Sequence, residues 1–322
     1  MPAFWLELAV TAEPEAVEAI CELMGRYTQG GVAIEEPYAL LDDGQAAETI
    51  AGAPATVRVY VPADAAGEEA RARIEEGLWH LRQIGFGNIG EIATRRLAEE
   101  DWANAWKEHY HVVHLGRRTV IKPSWRDYKP RPGEVVVELD PGMAFGTGQH
   151  PTTRTCLLAL EEALRPSDRV LDVGAGSGIL SLAALKLGAA RVLALDVSTV
   201  AVEATQANAR ANGVADQLDT RLATLEGAAG EPYFPLPPEV TRLGTEIGTF
   251  DIVLANIVAR VIAQLAPALA RAVCPGGTLI ASGIIAERRH EAEAPLRAAG
   301  LSDIRDVVEG DWVTLVCRRG AS

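Results

Sequence analysis

VLDVGAGSG, residues 170–178, is an apolar run that ends in an acid and continues into a glycine-rich turn. Its first half is typical of a buried β-strand. Glycines 174 and 176 let the backbone turn tightly against a ligand before the helix predicted for SGILSLAALKLG, residues 177–188. A strand, a glycine turn and a helix in this order predict the ligand-binding edge of a parallel α/β sheet.

Two acids next to this turn narrow the choice of ligand. The following strand, RVLALDV, ends in Asp196, where a carboxylate can accept hydrogen bonds from both hydroxyls of a ribose. A dinucleotide fingerprint requires a third glycine where Ile179 stands and an apolar residue where Asp172 stands. Asp172 would repel a pyrophosphate but attract an ammonium group. S-adenosyl-L-methionine carries a ribose, an ammonium and a sulfonium but no phosphate, and the residues favour it as the cofactor over NAD(P).

Strands and helices alternate from residue 134 to residue 322, which predicts a doubly wound α/β domain. The segment 303–319 predicts a closing hairpin, and the Pro- and Gly-rich segment 226–249 predicts a long irregular insert. Asn256 ends the fourth strand of this domain, at the edge where such sheets bind ligands. It could cap the following turn, but its place across from the glycine turn favours a substrate or cofactor contact.

A second glycine-rich segment, DPGMAFGTGQHPTT, precedes the helix predicted for 151–164. Thr152 or Thr153 could cap that helix, and a ligand contact by either hydroxyl is an equal alternative.

Residues 1–98 show strand, helix, strand, strand, helix, strand, which is the ferredoxin-like plan. That fold alone implies no function.

Residues 99–133 predict a basic, Trp-rich linker between the two domains. The slightly wider stretch 95–133 holds nine Lys or Arg and five acids, together with three tryptophans, which are Trp102, Trp106 and Trp125. Packing of these tryptophans against the domains is the simpler interpretation, because Trp is mostly a packing residue. A docking surface for an acidic or RNA-associated partner is the alternative.

The composition excludes several classes of protein. The 322 residues are 48% hydrophobic and carry a net charge of −14, so we expect no stable nucleic-acid binding. No apolar run predicts a membrane span or a signal peptide, which predicts a cytoplasmic protein without a membrane partner. The four cysteines form no metal or redox motif, and His109, His111 and His114 lack a matching ligand, so we expect no metal. A monomer is the simplest expectation.

DPGMAFGTGQHPTT, VLDVGAGSGILSLAALKLGA, ALDV and ANIVA together resemble the PrmA family, the bacterial methyltransferases of ribosomal protein L11. The patterns DW-x-x-x-W at 101–106 and KPSW at 122–125 extend the resemblance over nearly the whole chain. The resemblance implies a class I, Rossmann-like methyltransferase domain with a seven-stranded, mostly parallel sheet. It also implies that a small ferredoxin-like domain precedes it and recognises the substrate.

The resemblance further implies which residues contact S-adenosyl-L-methionine. The family's contacts fall on Thr153, Gly174, Asp196 and Asn256, and a loop that closes over the cofactor contains Phe145, Gly146 and Thr147. Asp172 and Gly176 join this set from the motif itself. The chain departs from the family at Gln149, where Thr is usual, and at Val258, where Leu is usual.

Methyl transfer to nitrogen requires an unprotonated amine, and a free lysine near neutral pH is almost entirely protonated. The positive cofactor disfavours a second cation nearby, and alignment supplies most of the remaining effect. No residue is identifiable as a general base, and Asn256 is the candidate catalytic residue that orients the amine. The predicted activity is N-methylation of lysine and N-terminal amines of ribosomal protein L11.

Three other functions stay open. The first is methylation of another substrate, such as a different protein lysine or glutamine, or an RNA base. Base and glutamine methylation usually accompany Asn-Pro-Pro-Tyr, whereas residues 256–259 read Asn-Ile-Val-Ala. An NAD(P) oxidoreductase is disfavoured by Asp172 and Ile179. A ribosome-binding module without activity is disfavoured because the cofactor motif is complete.

Overall fold

The protein is described by a computed structural model. It describes residues 4–28, 32–35, 37–40, 47–50, 53–83, 88–98, 111–140, 150–227, 236–244 and 249–321. The chain divides into two compact units, one formed by 1–113 with 141–145 and the other by 114–140 with 146–322. Residues 114–133 of the predicted linker therefore group with the second unit.

The first unit contains six strands and two helices among its described residues. They are β1 (Phe4–Ala12), α1 (Pro14–Gly25), β2 (Ala33–Glu35), β3 (Tyr38–Leu40), β4 (Ala47–Thr49), β5 (Ala55–Pro62), α2 (Ala65–Gln83) and β6 (Ala93–Ala98).

One antiparallel sheet in this unit has the order β2-β5-β1-β6. The apolar stripes of α1 and α2, including Ile20, Met24, Ile74 and Leu78, form one core with alternate residues of β1 and β5. Two short strands follow α1, and they have different partners, since β2 pairs with β5 whereas β3 pairs with β4.

The second unit begins within β7 (Val113–His114). Its helices and strands are β8 (Thr119–Lys122), β9 (Val135–Glu138), α3 (Pro151–Ala163), β10 (Arg169–Val173), α4 (Ile179–Leu187), β11 (Arg191–Asp196), α5 (Thr199–Ala211), β12 (Leu218–Leu225), β13 (Thr241–Leu243), β14 (Phe250–Asn256), α6 (Ala259–Ala272), β15 (Val273–Ile285), α7 (Arg289–Ala298), β16 (Leu301–Glu309) and β17 (Trp312–Arg319). Single 3₁₀ turns occur at Ala215–Gln217 and Ala286–Arg288.

The main sheet of this unit has the order β13-β12-β11-β10-β14-β15-β17-β16. The first six strands are parallel, and the predicted hairpin closes the sheet as antiparallel β17 and β16. The sheet has eight strands and not the expected seven. The additional strand is β13, which pairs with the end of β12 from inside the insert that was predicted to be irregular.

The apolar core of the sheet follows from its burial on both faces. On one face α6 and α7 contribute Ile262, Leu269 and Leu296 to a cluster with β14 and β15. Helices α3 and α4 bury Leu157, Leu160 and Leu182. In the part of the chain that the structure describes, no helix is long and apolar enough to cross a membrane.

Residues 114–140 hold a segment that is firmly attached to the second unit. Thr119 to Lys122 in β8 pair in parallel with Val135 to Glu138 in β9. The carboxylate of Glu161 in α3 accepts hydrogen bonds from the amides of Arg117, Arg118 and Thr119 and from the Thr119 hydroxyl. Residues 114–133 of the predicted linker are thus built into the second unit.

The histidine cluster of the sequence analysis is only partly described, since His109 lies outside the described residues. The Nδ1 atom of His114 lies 3.7 Å from the Glu134 carboxylate, and its Nε2 atom lies 3.3 Å from the Tyr128 hydroxyl. The carboxylate partner that the sequence did not reveal is therefore twenty residues downstream. Trp102 and Trp106 also lie outside the described residues.

Candidate functional site

Three neighbouring parallel strands bring the predicted site residues to one edge of the main sheet. Val173, the last residue of β10, pairs with Leu195 of β11 on one side and with Ala255 of β14 on the other. Gly174, Asp196 and Asn256 are the next residues along these three strands. Strand order reverses at β10, and such a switch point leaves a crevice for ligands at the carboxyl ends of the strands.

The glycine turn after β10 is closed by backbone hydrogen bonds to β11. The amides of Gly174 and Ala175 donate to the carbonyl of Leu195 at 2.8 and 3.0 Å. Gly174 has φ +79°, in the left-handed region that glycine enters without steric cost. A Cβ atom at this position would also overlap the γ2 methyl group of Ile257. Both conformation and space therefore require glycine here.

Asp196 holds the far side of the turn. Its Oδ2 atom accepts the Gly176 amide and its Oδ1 atom accepts the Ser198 amide, both at 2.9 Å. The two bonds fix the orientation of the carboxylate, which is partly exposed. Partial burial raises the pKa of Asp196, and the bond from Gly176 opposes this shift. The remaining lone pairs can accept hydrogen bonds from a diol such as a ribose.

Asp172 is a buried acid in β10 with an exposed fraction of 1%. Its Oδ2 atom accepts the Ser181 hydroxyl at 2.6 Å, while its Oδ1 atom has no hydrogen-bond partner among the described residues. Burial raises the pKa of Asp172 to about 6, and the nearby charge of Asp196 adds to this effect. An unsatisfied buried carboxylate oxygen is costly, which fits a site completed by a cationic ligand group.

Thr153 and Asn256 meet although they are 103 positions apart in the sequence. The Asn256 side-chain amide donates to the Thr153 hydroxyl at 3.4 Å. Of the two equal alternatives for Thr152 and Thr153, capping of the helix is not observed, since His150 is the N-cap of α3 and accepts the Thr152 amide through Nδ1. Burial lowers the pKa of His150 to about 4, and the imidazole is therefore neutral and can accept this bond near neutral pH. Thr153 is left to contact Asn256.

Two groups of residues that support the site were missed by the sequence analysis. From α5, Thr205 donates to the carbonyl of Gly176 at 2.9 Å and Asn208 donates to the carbonyl of Ser177 at 2.8 Å. These bonds anchor the outer side of the glycine turn. Polar residues three apart on a half-buried helix were the available signal, but it did not specify which carbonyls they would meet.

The second group is a buried cluster of hydroxyls formed by Thr155, Ser282 and Thr314. Thr314 lies 2.6 Å from both Thr155 and Ser282, and Ser282 also donates to the carbonyl of Thr152 at 3.3 Å. The cluster links α3 to β15 and β17 beneath Thr153. Its members come from three distant segments, so the sequence alone gave no signal for it. Phe145, Gly146 and Thr147, the predicted closing loop, lie outside the described residues.

A family model described as ribosomal protein L11 methyltransferase (PrmA) matches residues 4–320. The chain belongs to this family. The PrmA family assignment covers both units and includes the glycine turn, Asp196 and Asn256. It agrees with the resemblance seen in the sequence.

Individual relatives support the PrmA assignment. A protein of Chloroflexus aurantiacus named ribosomal protein L11 methyltransferase is 47% identical over 323 residues, covering 98% of each chain. A protein of Herpetosiphon aurantiacus with the same name is 44% identical, covering 98% of this chain and 99% of the relative. The crystal structure of a ribosomal protein L11 methylase from Lactobacillus delbrueckii is 32% identical with a TM-score of 0.56, covering 66% of this chain and all of that one.

Proposed function

We propose that this protein transfers methyl groups from S-adenosyl-L-methionine to lysine and N-terminal amines of ribosomal protein L11. The observation that carries the proposal is the glycine turn of residues 174–176 at the switch point of the sheet. A hydrogen bond joins this turn to Asp196, and the strand register places Asn256 beside it. The relatives named ribosomal protein L11 methyltransferase support the choice of substrate.

The residues present fit the cofactor. Asp196 would accept the ribose hydroxyls, and the glycine turn would lie against the ligand. Asn256 would contact it from the end of β14 and Thr153 from the start of α3. The unsatisfied Oδ1 atom of Asp172 offers the negative charge that an ammonium group requires. When bound, the cofactor supplies an electrophilic methyl group on a positive sulfur.

Asn256 would orient the attacking amine. Because its Nδ2 atom already donates to Thr153, its side-chain carbonyl oxygen is the atom left to accept a hydrogen bond from the amine. Such a bond aims the nitrogen lone pair without removing a proton. The lysine must therefore enter neutral, and the positive charge of the cofactor favours that form.

The first unit is proposed to recognise the protein substrate. Its four-stranded antiparallel sheet with order β2-β5-β1-β6 and two helices supports the ferredoxin-like description. A separate recognition unit supplies binding energy far from the reacting atoms, which can be used to position the amine.

A labelling experiment tests the proposal directly. The purified protein and methyl-labelled S-adenosyl-L-methionine are mixed in three separate reactions with ribosomal protein L11, total ribosomal protein or ribosomal RNA. We expect label in L11 and in the band of the same mobility in the total mixture, and mass spectrometry should place it on amines. Label in RNA, in glutamine side chains or in another protein would contradict the proposal. A parallel reaction with Asn256→Ala shows whether the transfer uses this site.

A further inference from the structure

The side chain of Ile257 fills the space that any side chain at Gly174 would need. A Cβ atom on Gly174 would overlap the γ2 methyl of Ile257 and would lie 3.9 Å from its Cβ. Ile257 is half-buried and packs against the apolar cluster of β14, β15 and α6. This side chain therefore limits how closely the glycine turn can approach the end of β14.

The backbone of Ile257 is confined from the opposite side by Gly283 in β15. A Cβ atom on Gly283 would lie 2.7 Å from the carbonyl carbon of Ile257 and 3.1 Å from its nitrogen. Gly283 has φ +83° and lies where the pairing of β15 with β17 shifts register, between Ala281 and Ile284. This irregularity lets β15 come close to the residue that follows Asn256.

Ser282 completes the attachment of this segment. Its carbonyl accepts the Ile257 amide at 3.1 Å, and its hydroxyl donates to the carbonyl of Thr152. Asn256 in turn donates to Thr153. Residues 256–257 are thus joined to α3 and β15 by one hydrogen bond each, and the Ser282 hydroxyl joins β15 to α3 beside them.

We propose that Ile257 is a positioning residue for methyl transfer, clamped between Gly174 and Gly283. Its side chain sets the position of the cofactor turn, and its backbone sets the position of Asn256. One residue thereby fixes the separation between the methyl donor and the group that orients the amine. The inference rests on the proposed function for the identity of these two ligands. In a displacement reaction a misplacement of about 1 Å can lower the rate about 100-fold.

Two glycines of the same strand provide a matched test. Gly283→Ala and Gly276→Ala both place alanine at positive φ in β15, since Gly276 has φ +78°. The backbone strain is therefore similar in the two variants. A Cβ on Gly276 meets no described atom within 4 Å, whereas one on Gly283 must push Ile257 away. We expect Gly283→Ala to lower turnover at saturating substrates roughly 10- to 100-fold, and Gly276→Ala to change it by less than about threefold.

Binding of S-adenosyl-L-methionine, measured by calorimetry, gives a readout that does not depend on activity. Ile257→Ala and Gly283→Ala should both weaken binding, by about three- to tenfold, because the glycine turn loses its contact or is displaced. Ile257→Val keeps the γ2 methyl and should bind within about twofold of the parent protein. If Gly283→Ala fails to fold, the comparison of Ile257→Ala with Ile257→Val still tests the inference.

Coupling to Asn256 separates positioning from general damage. In an Asn256→Ala background, Gly283→Ala should lower turnover by less than about twofold. The shift of Ile257 acts on the amine through the Asn256 side chain, and this side chain is already absent. Three results would each contradict the inference. They are equal losses of turnover in the two glycine variants, fold-losses of turnover that multiply in the double variant, and a loss of cofactor binding in Ile257→Val. If the parent protein transfers no methyl group to L11 but cofactor binding responds as described, the proposed substrate is wrong and the clamp stands.

Discussion

The Ser181 hydroxyl donates a 2.6 Å hydrogen bond to the Oδ2 atom of Asp172, which leaves the buried Oδ1 atom as an acceptor without a described partner. Ser181 lies in the first turn of α4, so the strand and the helix on either side of the glycine turn are joined by this bond. Hydrogen bonding from Ser181 only partly offsets the cost of burying the charge, because the pKa of Asp172 is still raised to about 6. The buried charge of Asp172 therefore lowers the stability of the folded protein.

The stability of the cofactor-free protein should reflect this cost. The pKa of Asp172 rises from 3.8 to about 6 on folding, so its contribution is most favourable below pH 3.8 and is lost as the pH rises through 6. Asp172→Asn should therefore raise the free energy of unfolding at pH 8 by roughly 2 kcal/mol, with a smaller gain near pH 4. Urea unfolding at both pH values measures this, with the exposed Asp216→Asn as the control.

Cofactor affinity should depend on pH in the direction opposite to stability, because it requires the charged form of Asp172. Protonation below about pH 6 removes the negative charge that attracts an ammonium group, so binding of S-adenosyl-L-methionine should weaken as the pH falls from 7 to 5. Asp172→Asn should bind weakly throughout and lose most of this pH dependence. Calorimetric titrations of both proteins across this range decide the matter. A parallel pH dependence in the variant would assign the effect to another group.

Asp196→Ala should weaken cofactor binding by about 1–3 kcal/mol, because hydroxyl groups of the ribose would lose their acceptor. The variant also removes the acceptor for the Gly176 and Ser198 amides, so Asp196→Asn is the informative companion. Asparagine keeps one acceptor oxygen and should retain part of the affinity. Unchanged affinity in the alanine variant, measured by calorimetry, would refute the ribose assignment.

Asn256→Ala should lower turnover on L11 by roughly 10- to 100-fold, because the amine loses its orienting acceptor. Its effect on cofactor binding should be smaller, since Thr153 and Asp196 remain. Initial rates at saturating cofactor, with L11 varied, separate the two effects. An Asn256→Ala protein with parental turnover and affinity would exclude a catalytic role for this side chain.

The second unit on its own should bind the cofactor but should not recognise the protein substrate. A fragment of residues 114–322 should fold and bind the cofactor, because it keeps β8 paired with β9 and keeps the partners of Glu161. It should transfer little label to L11 if the first unit recognises the substrate. The fragment 134–322, which is the domain predicted from the sequence, lacks β8 with its buried Val120 and Ile121 and should be several kcal/mol less stable. Parental activity of the 114–322 fragment on L11 would contradict the recognition role.

Glu161 and Glu162 offer adjacent carboxylates with very different surroundings. Glu161 accepts three backbone amides and the hydroxyl of the buried Thr119, whereas Glu162 forms surface ion pairs with Arg117 and Arg305. Glu161→Ala should cost about 1–3 kcal/mol of unfolding free energy and Glu162→Ala less than about 1 kcal/mol. Chemical denaturation of the two variants measures the difference. Equal costs would mean that residues 117–119 are not anchored through Glu161.

Much of the site could be predicted from local sequence. A buried strand, a glycine turn and a helix follow one another within 170–188, and alternation of strands and helices implies that the ends of β10, β11 and β14 share one edge. The placement of Asp172, Asp196 and Asn256 at or near strand ends could therefore be predicted. The positive φ of Gly174 also follows from residue type, since only glycine enters that region without cost.

The contacts between distant segments were decided only by the tertiary structure. The three residues of β13 have no periodicity of their own and become a strand because the end of β12 offers free backbone groups. The bond between Asn256 and Thr153, the anchoring of residues 117–119 by Glu161, and the packing of Ile257 against Gly174 and Gly283 depend on sheet register and helix placement. Local sequence determines which segments are strands, turns and helices, because turn chemistry and apolar spacing act within a few residues. Which side chains then meet is decided by the packing of all segments together, because such contacts join residues as far as 159 positions apart, as between Thr155 and Thr314.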